Sequence, residues 1–276
     1  VIYHTRIGQF DLVSIQIWPM QQLPAPEVLT VVDLPNLEEA RALQPNFFGN
    51  DAFMLELSLH VFVLRGRGQT VLIDTGQPVQ RGGAVVQWGL GALNLQPTDV
   101  DVVFLTHRDE DHVGGTVDAD GVPLYPHARY LMAQDEHHAA QTDVERATTF
   151  QSSLAPLEAH GVLELVQAGT ELLPGITVMA TPGHRSGASS LRLDDGGQTA
   201  VVLGDTLHLP IQVTYPEWSS LWDSDPGQAA QTRQQVLEQA EQEGWVLAVP
   251  HTPFGGLGRV QRAQKQRLWK SLSEAL

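Results

Sequence analysis

Six consecutive residues, His107-Arg108-Asp109-Glu110-Asp111-His112, include two imidazoles and two aspartates at alternate or adjacent positions. Groups packed this densely cannot all be core residues, because a buried charge without a partner is costly. They are the donors a divalent cation takes. Arg108 and Glu110 alternate with them and are expected to face away. Three further chemistry-bearing residues follow apolar runs: His184 after 176–180, Asp205 after 199–203 and His251 after 246–249. Loops at strand ends are where a rigid scaffold presents ligands. A solvated polar turn at 107–112 would leave those three strand ends unexplained. The chain has no cysteine, so His, Asp, Glu and water are the only donors for a metal, and disulfides and cysteine nucleophiles are excluded.

The elements that must hold these residues are readable from pattern. Residues 10–18 alternate apolar and polar, as a strand does. Residues 55–64 and 70–74 read as a hairpin about the turn at 66–68, broken by Thr75-Gly76. Residues 82–93 suit a helix, with Thr98 capping the next short turn. The wholly apolar run 102–105 suits a strand buried on both faces, and Gly114-Gly115 lets the backbone turn tightly after the cluster. A strand at 128–132 and a looser helical pattern over 135–158 follow. Residues 226–243 form an amphipathic helix with Asp225 placed to cap it, and residues 260–276 suggest a closing helix. Hairpins alternating with helices predict two packed sheets with helices outside. Residues 1–276 are expected to form a single domain, with 1–50 an irregular N-terminal extension contributing to a pocket or a dimer contact.

Composition narrows the partners. Sixteen basic residues stand against 32 acidic ones, a net charge of −16. That disfavours nucleic acid and anionic lipid. No apolar run is long enough for a membrane span, and no charged, apolar leader opens the chain at Val1. A cytoplasmic location is the expectation.

The ordered set Thr106-His107-Arg108-Asp109-Glu110-Asp111-His112-Val113-Gly114-Gly115, Thr181-Pro182-Gly183-His184, Gly204-Asp205-Thr206 and Pro250-His251, with Ile73-Asp74-Thr75-Gly76 upstream, resembles the metallo-β-lactamase superfamily over roughly residues 55–260. That family's signature is His-x-His-x-Asp-His followed by a His, an Asp and a final His. The chain is most similar to the branch of methyl-parathion-hydrolase-like enzymes and lactonases. His208 follows Asp205, Asp223-x-Asp225-Pro226 opens a helix containing Arg233, and His251-Thr252-Pro253-Phe254-Gly255-Gly256-Leu257-Gly258 matches that branch with Gly255 in place of proline.

The resemblance implies an α/β fold, the four-layer αβ/βα sandwich. It also implies two divalent metal ions, with zinc expected. One would take His107, Asp109 and His184. The other would take Asp111, His112 and His251, with Asp205 bridging. The implied reaction is attack of a metal-bridging hydroxide on an ester-like bond, a lactone or a phospho-ester. Asp111 would accept a proton and His208 would polarise substrate, unless His208 is a hydrogen-bonded structural residue. Asp74 would orient a ligand histidine, unless it is a plain turn residue. The other histidines (His4, His60, His127, His137, His138, His160) lack ligand-like spacing.

The departure is Asp109, where the family usually has histidine. An anionic oxygen there suggests a more negative site with a leaning toward iron or manganese. It keeps two other readings open: a diiron oxidoreductase, since diiron flavoproteins of the superfamily carry Glu at this position, and a catalytically degenerate metal-binding member. Against the former, these 276 residues hold no flavodoxin-like segment after the last motif. Phe47, Phe48, Phe53, Trp218 and Trp222 are candidates for an apolar substrate pocket. An uncharged small molecule is the expected substrate, and the branch resemblance implies a homodimer.

Overall fold

The computed structural model describes residues 1–30, 34–49, 54–263, 265–272 and 274–275. Among the described residues, fifteen strands form two sheets. In chain order the first seven are β1 (Ile2–Ile7), β2 (Phe10–Pro24), β3 (Met54–Gly66), β4 (Gln69–Ile73), β5 (Val102–Leu105), β6 (Arg129–Ala133) and β7 (Leu163–Val166). They are followed by β8 (Glu171–Leu173), β9 (Ile176–Ala180), β10 (Ser189–Asp195), β11 (Gln198–Val202), β12 (Val246–Ala248), β13 (Leu257–Ala263), β14 (Gln266–Ser271) and β15 (Glu274–Ala275). The first sheet runs β15-β1-β2-β3-β4-β5-β6-β7 and the second β14-β13-β12-β11-β10-β9-β8. In the first sheet β1 to β4 pair antiparallel and β4 to β7 parallel.

Side-chain alternation explains the layers. Along β5, Val102 and Phe104 face the second sheet and meet Val178, Leu191 and Val202 in the central core. Val103 and Leu105 face the other way, toward Val86 and Leu90 of the helix Ala84–Ala92. The short apolar run is thus buried on both faces, as its composition predicts. On the far side of the second sheet, Val201 and Leu247 pack against Val236 and Leu237 of the helix Pro226–Glu243. Helix, sheet, sheet and helix make the four-layer sandwich. Asp225 caps the latter helix by accepting the Gln228 N–H at 2.9 Å.

Several expectations are corrected. Leu257–Ala263 and Gln266–Ser271 form the hairpin β13–β14, not a closing helix; Val260 pairs with Trp269. The segment is rich in Gln, Arg and Lys, which favour helix locally. Burying Val260 and Trp269 against the second sheet requires the strand spacing and overrides that preference. The N-terminal region is not irregular up to residue 24, since β1 and β2 extend the first sheet. The turn after residue 95 is capped by Gln96, whose N–H donates to Asp99 Oδ2 at 2.7 Å, and not by Thr98. Gly114 and Gly115 follow the short helix Glu110–Val113 and serve close approach: a Cβ on Gly115 would lie 2.3 Å from the Thr75 carbonyl oxygen.

Candidate metal centre

The site lies where strands of both sheets end. β4 runs into Asp74, β5 into Thr106 and His107, β9 leads to His184, β11 to Asp205 and β12 to His251. The Ser189 N–H donates to the Thr106 carbonyl at 3.0 Å and joins the two sheets directly beside the site.

Each of four histidines has its Nδ1 anchored. His107 Nδ1 meets Thr106 Oγ1 at 3.0 Å, His112 Nδ1 meets Asp74 Oδ2 at 2.7 Å, His184 Nδ1 meets Asp223 Oδ1 at 3.0 Å and His251 Nδ1 meets the Ser58 carbonyl at 3.1 Å. That fixes which nitrogen faces inward. All four Nε2 atoms converge on Asp205. Oδ2 lies 3.7 Å from His107 and 3.4 Å from His184; Oδ1 lies 3.2 Å from His112 and 3.3 Å from His251. The other two carboxylates divide in the same way: Asp109 Oδ2 is 3.3 Å from His184 Nε2, and Asp111 Oδ2 is 3.6 Å from His251 Nε2. All seven residues singled out from the sequence are brought together, as His107/Asp109/His184 and Asp111/His112/His251 with Asp205 between them. Within each triad the candidate donor atoms lie within 4.8 Å of one another.

The residues fit cations on grounds of their own. His107 Nε2, His112 Nε2 and Asp205 Oδ1 are buried without a hydrogen-bond partner, an arrangement costly to leave unsatisfied. The field also favours positive charge. Burial lowers the pKa of His112, yet the carboxylates of Asp205, Asp111 and Asp74 outweigh it and raise the value well above normal. His251 and His184 are likewise raised against the effect of burial, with Asp205 the largest favourable influence on each. His107 goes the other way, lowered by burial and by His112.

Asp74 is held in a left-handed conformation, φ 60°, which a non-glycine residue adopts only at a cost. Its carboxylate accepts from the Thr106 N–H at 2.8 Å and contacts His112. The orienting role fits this geometry better than a plain turn does. His208 is fully buried. Its Nε2 lies 3.2 Å from Asp205 Oδ2, off hydrogen-bond alignment, and its ring stacks on His251 with centroids 5.5 Å apart.

Asp223 and Arg233, read from the sequence only as marks of the branch, and Glu136, Arg185 and Arg146, which the sequence reading passed over, complete the surroundings. Asp223, beneath His184, is itself held by Arg233 at 3.2 Å. The buried carboxylate of Glu136 accepts from the Arg108 N–H at 2.9 Å and the Gly187 N–H at 3.1 Å, tying the two ligand loops together. Arg185 grips Asp109 through both Nε and Nη2, and Arg146 Nε adds a third contact at 2.8 Å. Arg185 had a signal, since it directly follows His184, but nothing local says where its guanidinium goes. The expectation that Asp109 leaves the site more anionic is corrected: two guanidiniums offset it. Burial would raise the Asp109 pKa, but His184, His107 and Arg185 together take it far below the carboxylate range.

A cleft of about 320 Å³ opens onto these groups, within the range of small-molecule sites. Trp18, Leu23, Leu57 and Trp222 form its apolar wall. Of the aromatics picked from sequence, Trp222 lines it. Trp218, Phe47 and Phe48 are core instead, Trp218 stacking on Tyr215 at 4.6 Å. Phe53 lies outside the described residues. Trp18 reaches the cleft because the β2–β3 register shifts on either side of it. The remaining histidines lie elsewhere: His60, for instance, is buried between Ser14 and Ser58 and pushed down to about 3, largely by burial.

The profile of the metallo-beta-lactamase superfamily matches residues 56–251. The chain belongs to the metallo-β-lactamase superfamily. It is 30% identical over 149 residues to the probable metallo-hydrolase YflN of Bacillus subtilis (strain 168), covering 50% of this chain and 55% of that protein. It is 27% identical over 206 residues to metallo-beta-lactamase domain-containing protein 1 of Mus musculus, covering 74% of this chain and 66% of that protein. The matches thus span between about half and two thirds of the length of these relatives. Among solved structures, a hydrolase of the superfamily, AbOPH, superposes with a TM-score of 0.85 at 25% identity, over 98% of this chain and 97% of that one. The dizinc quorum-quenching lactonase AidC superposes with a TM-score of 0.82 at 18% identity, over 100% and 98%. The superfamily member described here carries His/Asp groups able to hold metal. Among its described residues no helix is long and apolar enough to cross a membrane.

Proposed function

We propose that this metallo-β-lactamase superfamily member is a dinuclear metal-dependent hydrolase of small, uncharged esters, with lactones first and phosphotriesters second. The observation that carries the reading is the set of four Nδ1-anchored histidines whose Nε2 atoms converge on the two oxygens of Asp205. In it, His107, Asp109 and His184 would hold one divalent ion and Asp111, His112 and His251 the other, with Asp205 offering an oxygen to each. Bound there, two zinc ions would lower the pKa of a shared water and polarise the ester oxygen. Asp111 lines the cleft and is the group that accepts the proton of the attacking water. His208, buried behind Asp205, acts on that carboxylate as a positioning residue and not on substrate. The apolar wall of Trp18, Leu23, Leu57 and Trp222 takes the acyl or aryl portion. Residues 1–276 act as one domain in this reading, because β2 supplies both a sheet strand and part of the cleft wall.

The test is elemental analysis of the purified protein, then a panel of lactones, aryl esters and phosphotriesters assayed with and without chelator. About two ions per chain and chelator-sensitive lactone hydrolysis are expected. Metal-free protein, or hydrolysis indifferent to chelation, would sink the reading. Asp74→Asn should weaken zinc binding about 10–100-fold by releasing the His112 ring, as read by competition with a chromophoric chelator. Unchanged affinity would remove Asp74 from the orienting role.

A further inference from the structure

Asp109 stands where the superfamily pattern carries histidine, and a residue distant in sequence answers the change. Arg185 Nε donates to Asp109 Oδ1 at 2.7 Å while Nη2 donates to Oδ2, a two-pronged contact. Its Nη1 donates to the carbonyls of His184 and Trp222, each at 2.7 Å, and to Ser224 Oγ at 2.9 Å. Arg185 is buried and cannot swing away without abandoning all of these. Asp109 Oδ2, so held, still faces His184 Nε2 at 3.3 Å and His107 Nε2 at 3.9 Å.

We propose that Asp109 and Arg185 form one unit that replaces a neutral histidine ligand, with Arg185 as the positioning residue. A carboxylate and a guanidinium in forked contact carry no net charge, as a neutral imidazole carries none. Arg146, which also meets Oδ1, has its own charge answered by Asp143 at 3.3 Å and Glu145 at 3.5 Å. Each carboxylate oxygen has lone pairs to spare after accepting one N–H, so Oδ2 keeps one for a cation. The fork fixes the plane of the carboxylate, which a single charge on a flexible stem would not do. The unit keeps the first site near the charge of an all-histidine site, and zinc remains its expected ion.

The proposal rests on the metal-binding reading above and is separable from it by a double-mutant cycle. Wild type, Asp109→His, Arg185→Gln and the double variant are stripped with chelator and titrated with zinc. Stoichiometry is read by elemental analysis, site geometry by the cobalt(II) absorption spectrum and folding by thermal melts. Wild type should hold about two ions per chain. Each single variant should bind the first ion at least ~10-fold more weakly; Asp109→His does so because it strands a buried guanidinium beside a cation. The double variant should return to within ~3-fold of wild type, the non-additivity expected of residues in contact. Additive losses, or Asp109→His binding as tightly as the double variant, would overturn the unit while leaving the hydrolase reading intact. A wild type holding about one ion would overturn the unit and the dinuclear part of the reading together, since it would mean that Arg185 replaces the first cation. A wild type holding none overturns the hydrolase reading itself. Should Arg185→Gln melt before measurement, Arg185→Lys keeps charge and stem but loses the fork; it should still weaken the first ion about 10-fold, and unchanged affinity overturns the proposal.

Discussion

Replacing Asp205 with alanine is expected to lower kcat/KM on the best substrate of the panel by about 10⁴-fold or more, which corresponds to ~5 kcal/mol of transition-state stabilisation. The two carboxylate oxygens of Asp205 serve the two halves of the site. Oδ2 serves His107 and His184, and Oδ1 serves His112 and His251. Its removal takes one donor from each proposed ion and leaves the four inward-facing imidazoles with only the flanking carboxylates of Asp109 and Asp111. Metal content should fall with activity, whereas the packing of the sandwich, which rests on the three apolar clusters, should survive. Elemental analysis, circular dichroism and steady-state kinetics on the same preparation check this. Activity within about tenfold of wild type would show that Asp205 is not part of the reacting site.

Arg233→Ala should destabilise the fold by about 3–5 kcal/mol and weaken metal binding with it. The guanidinium is buried in the helix Pro226–Glu243 and donates to the carbonyls of Thr206 at 2.9 Å and Pro216 at 2.7 Å. It also meets Asp223 Oδ2 at 3.2 Å, and Asp223 in turn holds His184 Nδ1 at 3.0 Å. Truncation would leave Asp223 as a buried charge without its cation and free the loop that follows Asp205. Burial pulls the Arg233 pKa down, with Asp223 opposing, so the pair is mutually dependent. Denaturant melts measure the stability and zinc titration measures the second effect. A loss below about 1 kcal/mol would place Arg233 among surface-like ion pairs.

How much of the molecule was readable follows from the range of each interaction. The strands β3, β4 and β11 and the helix Pro226–Glu243 declare themselves through their apolar patterns, and β5 through an unbroken apolar run, because both of its faces are buried. The β13–β14 hairpin did not, because its residues favour helix locally and only the sheet beside it decides otherwise. Trp18 escaped notice for a related reason: an irregular register between two strands turns it to the cleft. Phe47, Phe48 and Trp218 share the apolar character of a pocket wall, and composition does not tell core from cleft.

The candidate donors His107, Asp109, Asp111, His112, His184, Asp205 and His251 were all legible in the chain, since their chemistry demands particular residue types at strand ends and in a dense local cluster. Their electrostatics were not. Asp109 read alone means an extra negative charge and harder metals. The guanidiniums that answer it come from Arg146 and Arg185, 37 and 76 residues further along the chain. A charge acts through space, and spacing along a chain does not report it. Identity and order of the donors are written locally, whereas the net charge those donors present to a cation arises only when the two sheets bring both ligand loops and their arginines to one place.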